Sequence, residues 1–153
     1  MIPMEPLTIL VVEDDRAEQK LIRRSILDQK IANDLEIVSS GEEGLDYLNE
    51  CIIHPDEKIL PDLILLDLNM PGMGGKEFLN RIKKTDNFNH IPVVILTISD
   101  TEKDILDTYK LQASGYINKP VTLEEFQVIM KRIEAYWFVL CKRPPKYIVT
   151  EYV

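Results

Sequence analysis

Two cysteines are all the sequence has, Cys51 and Cys141, far apart and outside any Cys-x-x-Cys spacing. That excludes a disulfide framework and fits a reducing compartment, so a cytoplasmic location is expected. Histidine is as scarce: His54 adjoins Pro55 and His90 lies two residues before Pro92, both in expected loops, so no zinc site is offered. Basic residues are outnumbered 18 to 26, and a net charge of −8 works against nucleic-acid phosphates or an anionic membrane face. No apolar run reaches the length of a membrane span, and Met1-Ile2-Pro3-Met4-Glu5-Pro6 lacks the basic and apolar regions of a signal peptide. Export and anchoring are not expected, and partners should be proteins or cations. At 153 residues the chain suits one compact domain without room for a second folded output domain, and its 45% apolar content can fill a core.

What is present is a repeated alternation. Leu7 to Val12 is a short, mostly apolar run that stops at Glu13-Asp14-Asp15, the pattern of a buried parallel strand with acids at its carboxyl end. Leu35 to Val38, Leu63 to Leu66 and Val93 to Leu96 repeat it, and Tyr116 to Ile117 is a shorter fifth. Helical spacing separates them: Leu21, Ile22, Ser25 and Ile26; Leu45 and Leu48; Phe78, Leu79 and Ile82; Ile105, Leu106 and Tyr109; Phe126, Ile129, Met130 and Ile133. The expected fold class is α/β, a doubly wound five-stranded parallel sheet with helices on both faces. In such sheets ligands bind beyond the carboxyl ends of the strands.

Those ends carry Glu13-Asp14-Asp15, Asp67-Leu68-Asn69, Thr97 and Lys119. Asp14 and Asp67 on adjacent strand ends would repel, and a hard divalent ion relieves that. Magnesium suits an open oxygen site with one or two carboxylates and several waters. An aspartate beside such an ion can attack a phosphoryl group, with Asp67 the candidate nucleophile. The Lys119 ammonium and the Thr97 hydroxyl would neutralise the transferring oxygens.

Ile9-Leu10-Val11-Val12-Glu13-Asp14-Asp15, Leu65-Leu66-Asp67-Leu68-Asn69-Met70-Pro71-Gly72, Ile95-Leu96-Thr97 and Gly115-Tyr116-Ile117-Asn118-Lys119-Pro120 together resemble the receiver domain of two-component response regulators. The resemblance implies the flavodoxin-like strand order 2-1-3-4-5 and Asp67 as phosphoacceptor, supplied by a sensor histidine kinase. It also implies magnesium held by Asp14, Asp67 and the Asn69 backbone carbonyl, with Glu13 acting through a water. Lys119 would contact the phosphoryl group, Thr97 and Tyr116 would form a coupled switch, and the Lys119-Pro120 bond would be cis. The implied activity is that of a signalling switch, which catalyses only its own phosphorylation and slow dephosphorylation. Within receivers, the extra loop from Cys51 to Leu60 and the run from Glu134 to Trp137 make the chain most similar to regulators paired with bacterial phytochromes.

Each residue also has a plainer explanation. Asp14 or Asp15 could cap the next helix, Asp67 could be a turn residue, and Thr97, Lys119 and Tyr116 could be ordinary strand, surface and core residues. Joint placement after successive strands is what favours function. Two rivals remain: an aspartyl-phosphate phosphatase, whose Asp-x-Asp signature belongs after the first strand rather than the third, and an adaptor that uses the fold without phosphate.

Leu123, Phe126, Met130, Ile133, Trp137 and Leu140 recur at intervals of 3, 4, 3, 4 and 3, an apolar stripe longer than a receiver sheet can cover. Pro144-Pro145 is expected to end the helix. Residues 5–141 would form the receiver and residues 142–153 a tail of strand propensity. The expected assembly is a homodimer in which Trp137, Phe138, Leu140, Tyr147 and Val149 meet a second copy.

Overall fold

The computed structural model describes residues 7–27 and 33–144. Its elements run β1 (Leu7–Val12), α1 (Arg16–Leu27), β2 (Asn33–Val38), α2 (Gly41–Ile53), β3 (Leu63–Leu66), α3 (Gly75–Lys83), β4 (Val93–Thr97), α4 (Glu102–Lys110), β5 (Gly115–Asn118) and α5 (Leu123–Glu134), then a π-helical segment, Ala135–Leu140. All five strands form one parallel sheet in the order β2-β1-β3-β4-β5, the order the receiver resemblance implies.

Successive strand side chains point to opposite faces, so β1 feeds two cores. Leu7, Ile9 and Val11 pack with Ile22 and Ile26 of α1 and Phe126, Met130 and Ile133 of α5. Leu10 and Val12 pack with Leu48 of α2 and Phe78, Leu79 and Ile82 of α3. Both faces are covered, which is why β1 is apolar but for Thr8 and is buried throughout. At the edge, β2 starts two residues before its apolar run, because Asn33 and the exposed Asp34 still pair with Leu7 and Thr8 of β1.

Three expectations change. In α4, Leu106 and Tyr109 are 54% and 49% exposed, and the buried residue is Thr108. Its hydroxyl donates to the Asp104 carbonyl at 2.9 Å, so it can be buried with its polar group satisfied. The expected loop from Cys51 to Leu60 starts later, since Cys51 to Ile53 close α2 and His54 caps it, its N–H donating to the Glu50 carbonyl. The last helix is not one α-helix ending at Pro144-Pro145. It widens into a π-helical segment at Ala135, which shifts the register of the apolar stripe, and Cys141 is already extended at φ −93° and ψ 145°.

Trp137 packs against the α1–α5 core. Beyond it Arg143 Nη1 lies 3.6 Å from the buried Asp62 Oδ2, the atom that accepts the Thr8 N–H at 3.0 Å. This ties the segment after the π turn to the end of the sheet opposite the acids. Of the expected interface residues, Tyr147, Val149 and the side chains of Phe138 and Leu140 lie outside the described residues.

Candidate functional site

Strand register assembles the site. Val12 pairs with Leu66 on one side and Val38 on the other, and the ladder continues one residue past the strands: Glu13 N–H donates to the Val38 carbonyl and Asp67 N–H to the Val12 carbonyl, each at 3.0 Å. The residues after β1 and β3 are thereby fixed side by side. On the other flank Lys119 N–H donates to the Thr97 carbonyl at 2.8 Å, which sets the end of β5 against the end of β4.

The acids after β1 divide their work. Asp15 Oδ1 accepts the N–H groups of Ala17 and Glu18 at 2.8 and 3.1 Å, so Asp15 is the helix cap that satisfies orphan amides of α1. Glu13 and Asp14 are left for the site. One ligand oxygen each from Glu13, Asp14 and Asp67 lie within 4.8 Å of one another. Lys119 hydrogen-bonds Glu13, and its Nζ stands 3.5 Å from Asp67 Oδ2.

Asp67 is 6% exposed and Glu13 1%. Burial pushes the Glu13 carboxyl up to about 7, against the hydrogen bond from Lys119 and helped by the charge of Asp67. Burial pulls the Lys119 ammonium down, but Glu13 and Asp67 outweigh it and hold the group above its ordinary value. One lysine therefore faces three acids in a place where charge is poorly screened. The all-oxygen donor set and the shortage of positive charge fit a hard divalent cation. Among the described residues this is the one group of three or more His, Cys, Asp or Glu side chains close enough to hold a metal ion, and it contains neither histidine.

The remaining expected residues surround it. Asn69 is exposed, and its N–H donates to Asp67 Oδ1 at 3.4 Å. Thr97 is fully buried, and its Oγ1 accepts the Ser99 N–H at 3.4 Å. The Tyr116 hydroxyl donates to the Ser99 carbonyl at 2.7 Å, so Thr97 and Tyr116 meet through one residue. Lys119-Pro120 is not cis, since the described residues hold no cis peptide bond; trans is the lower-energy isomer for X-Pro.

Two residues escaped the sequence reading. A Cβ on Gly75 would come 2.3 Å from the Asp67 carbonyl oxygen, so only glycine lets α3 begin against the backbone of Asp67. Its signal was the Gly74-Gly75 pair shortly after Pro71-Gly72. Glu18, in the first turn of α1, has a buried Oε2 without a hydrogen-bond partner; its signal was a spacing of four from Asp14.

With this geometry in hand, three relatives bear comparison. The family described as the response regulator receiver domain matches residues 9–131. The probable methanogenesis regulatory protein FilR2 of Methanothrix harundinacea is 33% identical over 87% of this chain and 84% of its own. Response regulator Rcp1 of Synechocystis sp. is 33% identical over 86% of this chain and 89% of its own, and its Mn(2+)-bound crystal form superposes with a TM-score of 0.80 over 92% of this chain and 100% of that one, at 32% identity. The phosphorylated cyanobacterial phytochrome response regulator RcpA superposes with a TM-score of 0.84 over 92% of this chain and 100% of that one, at 34% identity.

Proposed function

The chain belongs to the response regulator receiver family, whose members accept phosphoryl groups in two-component signalling, and on that premise we propose that Asp67 is its phosphoacceptor. The carrying observation is the meeting of Glu13, Asp14 and Asp67 oxygens within 4.8 Å, with Lys119 Nζ 3.5 Å from Asp67 Oδ2. A histidine kinase supplies the group. An Asp67 carboxylate oxygen forms the new P–O bond, the P–N bond of the kinase phosphohistidine breaks, and the released imidazole nitrogen takes a proton.

Magnesium is the proposed cation, held by Asp14, Asp67 and the Asn69 carbonyl, with Glu13 acting through a water. When bound it supplies the positive charge that the acids lack and that a transferring phosphoryl group needs. The chain's own part is positional. The ladder from Val12 fixes the Asp67 backbone, and the Asn69 N–H on Oδ1 orients its carboxylate. Lys119, held between Glu13 and Asp67, is the cation within reach of an incoming phosphoryl oxygen. Thr97 accepts from Ser99 through Oγ1 and so keeps its own proton to donate.

The output is a change of population rather than turnover of a metabolite. Drawing the Thr97 hydroxyl toward the phosphoryl group would loosen its bond to Ser99, and through the Ser99 carbonyl the position of Tyr116. Catalysis is confined to phosphorylation and slow dephosphorylation of the chain itself. A phytochrome-type sensor kinase is the proposed partner, on the likeness to RcpA, and the cytoplasm the proposed location. Residues 5–141 act as receiver and 142–153 as a tail, and the proposed homodimer forms through Trp137, Phe138, Leu140, Tyr147 and Val149. The half-buried Trp137 and the 54%-exposed Tyr136 beside it support an interface there.

The test is incubation with a low-molecular-weight phosphodonor and with a partner kinase, followed by intact-mass measurement. One phosphoryl group should be added with magnesium and none without it. Asp67→Asn should lose the addition completely, and a mutant that labels like the parent would refute the assignment.

A further inference from the structure

The first turn of α1 sets a fourth acid beside the site. Glu18 N–H donates to Asp15 Oδ1 at 3.1 Å, which fixes where its side chain begins. Its carboxylate feels two charges of the site, attracted by Lys119 and repelled by Asp67, and is repelled as well by the cap residue Asp15. Its Oε2 is buried and accepts no hydrogen bond. A buried carboxylate oxygen without a donor is costly, and the nearby ammonium does not supply one: Lys119 is directed to Glu13 and Asp67. Protonating the carboxyl removes its charge but leaves the gap: a proton on Oε2 becomes an unsatisfied donor, and a proton on Oε1 leaves Oε2 an unsatisfied acceptor.

The missing partner is a donor that arrives from outside the chain. A hard divalent ion held by only a few protein oxygens keeps several waters, and their polarised O–H groups seek carboxylate acceptors around the site. We infer that Glu18 is a positioning residue of the cation site, whose Oε2 accepts a hydrogen bond from a water on the divalent ion held by Asp14 and Asp67. The inference rests on the cation reading of the site. Glu18 then selects for an ion that stays partly hydrated, and it turns an atom unsatisfied in the ion-free protein into a contributor to ion affinity.

The test uses the full chain with Mn2+ as paramagnetic probe and Mg2+ as competitor, and water-proton relaxation reads both affinity and the number of ion-bound waters. Glu18→Met should weaken Mn2+ binding about tenfold, the effect expected of an outer-sphere partner. Glu18→Gln, which keeps an acceptor but loses the charge, should fall between it and the parent. The number of ion-bound waters should not change, and the ion-free melting temperature should not drop, because the substitution removes an unsatisfied atom. Unaltered Mn2+ affinity in both variants overturns the inference, as does one extra ion-bound water, which would make Glu18 a direct ligand. Should Glu18→Met fail to fold, Glu18→Gln decides by the same readings. A parent chain that does not bind Mn2+, or an Asp14→Asn variant that binds as well as the parent, sinks the cation reading and this inference with it.

Discussion

Two clusters of acids and lysines on this protein are built from the same residue types and obey opposite physics. Around Lys119, whose side chain is 6% exposed, Glu13 and Asp67 are nearly sealed from water, and one ammonium faces three acids. Around Lys76, Asp104 and Asp107 of α4 meet α3 at 2.6 and 3.0 Å, and Lys103 supplies a second ammonium to Asp107. There the charges balance and water screens them, and Asp107 is pulled down to about 2 by Lys103 first and Lys76 second. In the buried cluster the shift runs the other way, with Glu13 raised to about 7. A carboxyl held well below its usual value marks a satisfied strap. One held far above it marks first a carboxyl taken out of water and then the neighbouring Asp67 charge, a cost that Lys119 only partly offsets.

Lys119→Met should break the contrast most severely, because it leaves Glu13 and Asp67 buried with no counter-charge. About 3 kcal/mol of stability should be lost in the ion-free protein, and magnesium should recover part of it; thermal unfolding with and without magnesium checks both.

Changing pH sharpens the same contrast with a smaller effect. A carboxyl at about 7 in the folded state, against an ordinary 4.5, binds its proton more tightly folded than unfolded. That contribution is complete below the ordinary value and is lost as pH rises through about 7. Between pH 6 and pH 8 the ion-free protein should lose about 1 kcal/mol. Glu18, raised chiefly by burial, adds in the same direction. Magnesium should flatten the slope, and chemical unfolding at the two pH values would expose a slope of the wrong sign.

Least affected should be the Lys76→Met variant. Its partners are partly exposed, so the loss should stay below about 1 kcal/mol and fade in high salt. A loss as large as that of Lys119→Met would erase the distinction between the clusters.

The strands were legible because both faces of a parallel sheet are covered, so β1, β3 and β4 are apolar but for Thr8 and Thr97. The acids after β1 and β3, the hydroxyl at the end of β4 and the lysine after β5 were equally plain. Helix α4 was not. Spacing identifies Ile105, Leu106 and Tyr109 as apolar, but which side of a helix meets the protein depends on its neighbours. A threonine whose hydroxyl bonds its own preceding turn can take the buried place. The π-helical segment was hidden for a similar reason: the 3-4-3-4-3 stripe fits an α-helix, and only packing of Trp137 against the α1–α5 core accompanies a looser turn.

By itself the sequence determined the alternation of strands and helices, the fold class and the identity of the side chains at the strand ends, because these follow from local periodicity and from what a covered strand must contain. Only the tertiary structure decided that Asp15 caps while Asp14 joins Glu13 and Asp67, that Lys119 spends its charge on two of them, that Gly75 lies against the Asp67 carbonyl and that Glu18 has an oxygen with nothing to bond. Those are distances between residues brought together by crossovers, and the energy of a charge depends on its surroundings in space rather than on its place in the chain.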